Sequence, residues 1–245
     1  MNRSETSYKT VVANLKANGS NAFFKDYLPH LKSLKSVRHN LVICPAYPYI
    51  PLFAAALKNP PISIGGQDCS IHGPGSFTGE VPADFLKDVG ASHVILGHSE
   101  RADKEDAATI AQKLLMAVKA GLTPVLCLGE SAETRTKGET EVFLKSRLGA
   151  LLENVSGTTA PAGFCIAYEP IWSVGGTEMP DLSEIDVLCG LLREEAAALG
   201  VQASVFYGGS VSATNAGAIM DLPHVGGVLI GRAALDPQAL SVMAA

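Results

Sequence analysis

Short apolar runs rich in Val and Ile recur along the chain, each closing on a polar or glycine cluster. They occupy residues 10–14, 41–44, 62–66, 93–97, 124–129, 164–168, 204–209 and 227–231. None alternates apolar with polar positions, which predicts strands buried on both faces, as in a parallel sheet. Between the runs the apolar period lengthens to that of a helix. Phe24, Leu28, Leu31 and Leu34 share one face. Ile110, Leu114, Ala117 and Val118 share another, in a segment that opens on Asp103, Glu105 and Asp106 and stops at Gly121. Ile185, Leu188, Leu191 and Leu192 form a stripe that ends at Gly200, and residues 139–155 read the same way. These stripes are core faces.

Strand and helix alternate eight times. The predicted class is α/β, a (β/α)8 barrel of eight parallel strands inside a ring of helices, with residues 1–245 as one domain. An open doubly wound sheet would want a glycine fingerprint after the first strand. Residues 14–19, NLKANG, do not provide it. No linker, low-complexity tract or charge block divides the chain.

Composition narrows the partners. The chain has 245 residues, 47% of them hydrophobic and 18% charged, with a formal net charge of −5. It contains no basic run, so nucleic acid is not an expected partner. An anionic ligand would have to be held by local charge and backbone dipoles, against the overall sign. The five cysteines (Cys44, Cys69, Cys127, Cys165 and Cys189) include no C-x-x-C pair and are expected as buried free thiols in a reducing compartment. The N-terminal stretch is polar, and no window carries the ~18 apolar residues of a membrane span. The expected location is the cytoplasm, with no membrane partner.

In a barrel of this kind the chemistry gathers at the C-terminal ends of the strands. Strand one ends in Asn14, Lys16 and Asn18; strand four in His98, Ser99 and Glu100; strand five in Glu130. Strand six ends in Glu169, Pro170 and Trp172; strand seven in Gly208, Gly209 and Ser210; strand eight in Gly231 and Arg232. Each alone has an ordinary structural explanation, and their agreement in position is what points to a site. A carboxylate can take a carbon-bound proton, a histidine can polarise the adjacent carbonyl, and a lysine can stabilise an enediolate. The glycine turns after strands seven and eight can aim backbone N–H groups at a phosphate. The six histidines (His30, His39, His72, His93, His98 and His224) form no H-x-x-x-H pair, so no metal site is expected. Neither a nucleophile elbow nor a P-loop occurs, and no cofactor is expected.

These segments together resemble the triosephosphate isomerase family. The resemblance rests on 14-NLKANGS-20, 65-GGQDCSIHGPGSFTGEV-81, 94-VILGHSER-101, 125-VLCLGE-130, 167-AYEPIW-172, 207-YGGSV-211 and 226-GGVLIGRAAL-235. It covers nearly the whole chain. It implies that Glu169 is the base, His98 a neutral electrophile, and Asn14 and Lys16 substrate ligands. Glu100 and Cys127 become supporting residues, and Gly175, Ser210, Gly231 and Arg232 phosphate contacts. Thr78 becomes an interface residue reaching the neighbour's active site in a homodimer. The segment PIWSVGGTEMP after Glu169 resembles a mobile lid whose closure expels water. The implied activity is interconversion of glyceraldehyde 3-phosphate and dihydroxyacetone phosphate.

The chain departs from the family pattern at four places. Leu15 and Ala17 replace the usual Trp and Met around Lys16. The loop after Arg101 is shorter and carries Ala102, with Glu105 in place of the acidic residue beyond it. The second half of the lid reads GGTEMP, and the turn after strand eight is Gly231-Arg232 in place of Gly-Gly. A backbone N–H contact at residue 232 tolerates any residue but proline. The guanidinium either adds charge near the phosphate or points outward. The lid and Arg232 leave open a second enzyme of the same site type, an isomerase of four-carbon sugar phosphates. A non-catalytic phosphate-binding barrel is disfavoured because Glu169, His98 and Lys16 are all present.

Overall fold

The structure is a computed structural model and describes residues 8–34, 38–58, 62–153, 155, 163–176 and 178–245. Its strands are β1 (Thr10–Asn14), β2 (Asn40–Cys44), β3 (Ile62–Gly66), β4 (His93–Leu96), β5 (Thr123–Leu128), β6 (Cys165–Tyr168), β7 (Ser204–Tyr207) and β8 (Gly227–Ile230). All neighbours pair in parallel, and β8 pairs back onto β1, closing the barrel. Each predicted run became a strand, with ends shifted by at most two residues.

The missing polar alternation now has its cause. Side chains pointing inward (Val12, Val42, Ile95, Val125, Ala167, Phe206 and Leu229) pack together inside the barrel with Cys44, Cys127 and Cys165. Their neighbours in sequence (Val11, Ala13, Leu41, Val94, Leu126, Ile166 and Val228) face outward and are buried under the helices. Both faces of the sheet are dry, so both must be apolar.

The helices are α1 (Asn21–Lys32), α2 (Ile50–Ala56), α3 (Ala83–Asp88), α4 (Ala107–Lys119), α5 (Ala132–Thr136), α6 (Thr140–Leu152), α7 (Leu182–Ala198), α8 (Ala216–Met220) and α9 (Pro237–Ala244). Ser20 caps α1 by accepting the Phe23 N–H at 3.1 Å, and Phe24, Leu28 and Leu31 lie buried beneath it. Leu34, predicted on the same face, falls beyond the last turn. Asp106 caps α4 by accepting the Thr109 N–H at 2.8 Å. Gly121 and Gly200, just past α4 and α7, adopt φ of +71° and +81°, left-handed positions natural to glycine. In the predicted 139–155 helix, Asn154 lies outside the described residues.

Glu105 differs from its predicted role as a first-turn acid. It is buried and joins Arg101, Asp68 and Lys113 in an ion network below the β4 end. Lys113 Nζ lies 2.7 Å from Glu105 Oε1 and 2.8 and 2.7 Å from the two oxygens of Asp68. A lysine on the buried face of α4 demanded acids there, and one of the acids at the helix start turned inward to meet it.

All five cysteines are free and buried. No helix among the described residues is long and apolar enough to cross a membrane.

Candidate active site

β1 delivers Asn14 and Lys16 to the C-terminal mouth of the barrel. Asn14 is buried, and its Oδ1 accepts the Lys16 N–H at 3.0 Å. That bond helps hold Lys16 at φ +51°, a left-handed conformation uncommon for a side-chain-bearing residue. Gln67, at the end of β3, donates from Nε2 to the carbonyls of Lys16 and Cys44, each at 2.8 Å. The lysine is thereby fixed at its backbone while Nζ reaches Glu100 Oε1 at 2.6 Å. Gln67, part of the 65–81 segment but given no role by its sequence, is a positioning residue. Its signal in the sequence is its place directly after the third apolar run.

β4 delivers His98, which caps the short 3-10 turn Ser99–Arg101. The Glu100 backbone N–H donates to His98 Nδ1 at 3.2 Å. Nδ1 is therefore an acceptor, and the ring proton of neutral His98 sits on Nε2. Burial, reinforced by the Lys16 cation, lowers the imidazole pKa to about 4, with Glu100 opposing weakly. At neutral pH the ring is uncharged and presents an N–H donor to the mouth.

β6 delivers Glu169, whose Oε1 is 3.5 Å from His98 Nε2. Glu169 Oε2 is buried without a hydrogen-bond partner among the described residues. Burial raises the carboxyl pKa to about 7, while the Cys127 thiol and the Lys16 cation pull it downward. The space for this residue, side chain and backbone, is made by glycines. A Cβ on Gly208 would lie 2.5 Å from Glu169 Cγ, and one on Gly129 only 1.8 Å from the Glu169 carbonyl oxygen. Cys127 lines a small cavity of about 130 Å³ behind Glu169. Its own thiol is pushed well up by burial and stays protonated.

In front of Glu169 opens a chamber of about 800 Å³. Asn14, Lys16, His98, Glu100, Glu169, Gly175, Ser210, Gly231 and Arg232 all line it. Every predicted catalytic and phosphate residue thus faces one space, apart from Cys127 behind the base. Thr78 does not. It lies exposed on the loop between β3 and α3, beside the half-exposed Phe77.

The segment expected to be a lid borders the chamber through Ile171, Val174, Gly175 and Gly176 and is tied at both ends. Trp172 donates from Nε1 to the buried Glu130 at 2.8 Å, and Arg135 stacks 4.5 Å from the indole centroid. Ser173 Oγ donates to the Glu178 carbonyl at 2.7 Å, which joins the two ends of the segment across its base. Ser210 Oγ reaches the carbonyls of Ser173 and Gly176 at 2.6 and 3.0 Å, and does so from φ +32°. Arg232 Nη2 lies 3.3 Å from the Gly175 carbonyl. Of the two orientations open for Arg232, the side chain takes the one along the chamber. Its backbone is not left-handed, so residue 232 is sterically comfortable there. Of the unusual lid half, Thr177 lies outside the described residues.

A family model described as triosephosphate isomerase matches residues 9–245. The chain belongs to the triosephosphate isomerase family. Proteins named triosephosphate isomerase from Acidiphilium cryptum, Alkalilimnicola ehrlichii and Serratia proteamaculans are 39%, 37% and 36% identical to it. The alignments cover 93%, 93% and 95% of this chain and 94%, 93% and 94% of those relatives. Membership in the triosephosphate isomerase family makes the chain an isomerase, and it fits a chamber lined by a base, a neutral donor and the cations Lys16 and Arg232.

Proposed function

We propose that the chain interconverts D-glyceraldehyde 3-phosphate and dihydroxyacetone phosphate, with Glu169 carrying the proton. The observation behind this is the contact between Glu169 Oε1 and His98 Nε2 at 3.5 Å in a chamber that also holds Lys16. The Glu169 carboxylate takes a proton from the carbon beside the carbonyl. The C–H electron pair becomes the C=C bond of an enediolate, and the carbonyl electrons move onto oxygen. His98 Nε2–H and the Lys16 ammonium stabilise that oxygen. Protonated Glu169 then gives its proton to the former carbonyl carbon, while His98 gives its Nε2 proton to the oxyanion there and regains one from the hydroxyl of the first carbon, whose oxygen becomes the new carbonyl. No electrons leave the substrate, so the cycle needs no cofactor.

The electrostatics suit these tasks. A carboxyl with a pKa of about 7 is a stronger base than an ordinary glutamate and still ionised in part at neutral pH. A histidine held neutral is a donor that does not trap the enediolate as a tight ion pair. In this reading Asn14 fixes Lys16, Glu100 orients its ammonium, and Cys127 borders the base. The phosphate is held by the Ser210, Gly231 and Arg232 turns and by the lid at Gly175, and the lid excludes water during the enediolate's lifetime.

The reading includes a homodimer. Beside Lys16 lies a second cavity of about 330 Å³, bordered by Tyr47, Gln67, Glu100 and Lys104. A partner's loop bearing Phe77 and Thr78 is the occupant it suits, and that would close the site around Lys16. It also includes the cytoplasm, supported by five buried thiols left unpaired.

Two measurements test this. Side-by-side kcat/KM values for three- and four-carbon sugar phosphates should favour the triose. A preference for the longer sugar would refute the substrate assignment. Light scattering after size exclusion should give twice the chain mass.

A further inference from the structure

The wall of the chamber holds two permanent cations, Lys16 and Arg232. They are differently committed. Lys16 Nζ is paired with Glu100 at 2.6 Å. Arg232 is in no ion pair with a carboxylate among the described residues, and a lid carbonyl, Gly175, is its hydrogen-bond partner there at 3.3 Å. A guanidinium carries five N–H donors in a planar fork, so most of its capacity is unused.

Its neighbours give the direction. The lid is held from the same side by Ser210, through the carbonyls of Ser173 and Gly176. Arg232 takes the carbonyl between them. Gly231, Arg232 and Ser210 form the wall assigned above to the phosphate. The chain bears a net charge of −5, so a dianionic substrate gains little from the overall field and depends on local cations. The backbone at residue 232 would serve equally well with a smaller residue, so the guanidinium is an addition to the turn, not a requirement of it.

We propose that the Arg232 guanidinium bridges the substrate's phosphate to the Gly175 carbonyl of the lid, a charged latch added to a turn where the backbone alone would serve. This rests on the isomerase reading above. One edge of the guanidinium stays on the Gly175 carbonyl, and the remaining donors take the phosphate. With the dianion bound, the latch is charge-assisted. Without it, the latch is a single long hydrogen bond at an exposed side chain. Arg232 thereby adds to the preference for phosphorylated over plain trioses.

The test compares the wild-type chain with Arg232→Gln, which keeps an N–H donor and removes the charge. One readout is the ratio of kcat/KM for glyceraldehyde 3-phosphate to that for glyceraldehyde. The other is the fluorescence of Trp172, the one tryptophan in the sequence, during titration with inorganic phosphate. The ratio should fall about tenfold at low ionic strength, and the phosphate midpoint should weaken roughly fivefold or more. Both losses should shrink as salt screens the exposed guanidinium. Either readout staying within twofold of wild type would overturn the proposal, because a residue that merely stabilises the turn moves neither. The titration needs no turnover. A chain inactive on triose phosphate with an Arg232-dependent midpoint would therefore defeat the isomerase reading and leave the latch in place.

Discussion

His98 Nε2 stands 3.5 Å from Glu169 Oε1, while the Glu100 backbone N–H occupies the other ring nitrogen at 3.2 Å. The second contact fixes the tautomer that the first one uses. Two buried groups that would exchange roles in water are driven apart here, the acid up to about 7 and the imidazole down to about 4.

That separation predicts the pH profile. The base must be ionised, so kcat/KM should rise with pH through the region near 7 and then level off. His98 stays neutral above its pKa of about 4 and should add no inflection between pH 5 and 8. Correcting for ionisation of the substrate phosphate, rate measurements from pH 5 to 9 would show one acidic limb. A second limb near 6.5, the ordinary histidine value, would contradict the neutral-imidazole assignment.

The same burial has a stability consequence. Between pH 4.5 and about 7 the folded chain keeps a proton on Glu169 that the unfolded chain has lost. Stability contributed by this group therefore falls as pH rises through that window. A shift of this size corresponds to about 3 kcal/mol at pH 8. Glu169→Gln removes the burden, so the variant should be more stable than wild type at pH 8 and nearly equal to it at pH 4.5. Urea unfolding at the two pH values checks the difference.

The lid should be sensitive to one hydroxyl. Ser210→Ala removes the contacts to the carbonyls of Ser173 and Gly176. The expected loss is roughly tenfold or more in kcat/KM, with the unfolding midpoint nearly unchanged because Ser210 lies outside the core. An unchanged kcat/KM would mean that these bonds do not contribute to catalysis.

The buried network under β4 should matter to folding. Lys113→Met leaves Asp68 and Glu105 facing each other without their shared cation. The expected cost is about 3–5 kcal/mol, read as a drop in the urea midpoint. A change below 1 kcal/mol would mean that Arg101 alone neutralises both acids.

The barrel was legible because burial on both faces leaves a signature that needs no partner sequence. The eight runs lack alternation, and the structure packs Val12 inward and Val11 outward from one strand. The strand-end residues were legible for a related reason: a barrel brings its C-terminal ends to one mouth, so Lys16, His98 and Glu169 meet despite lying far apart in sequence. What stayed hidden depends on side-chain direction. Glu105 looks like a helix-start acid until Lys113 is seen below it. Gln67 looks like a loop amide until the Lys16 carbonyl is placed within its reach. Arg232 could turn either way on backbone grounds, and the Gly175 carbonyl decides. The lid ties through Ser173, Glu130 and Trp172 likewise join residues with no local pattern between them.

Proton transfer by Glu169 can be followed by hydrogen exchange with solvent. Dihydroxyacetone phosphate is incubated in D2O with wild-type chain or with Glu169→Gln, and deuterium at the carbon next to the carbonyl is followed by NMR. Wild type should both isomerise the sugar and place deuterium on that carbon. Glu169→Gln should slow both by about 10³-fold or more, while keeping its fold by circular dichroism. Exchange at near wild-type rate in the glutamine variant would contradict the account and assign the base to another residue.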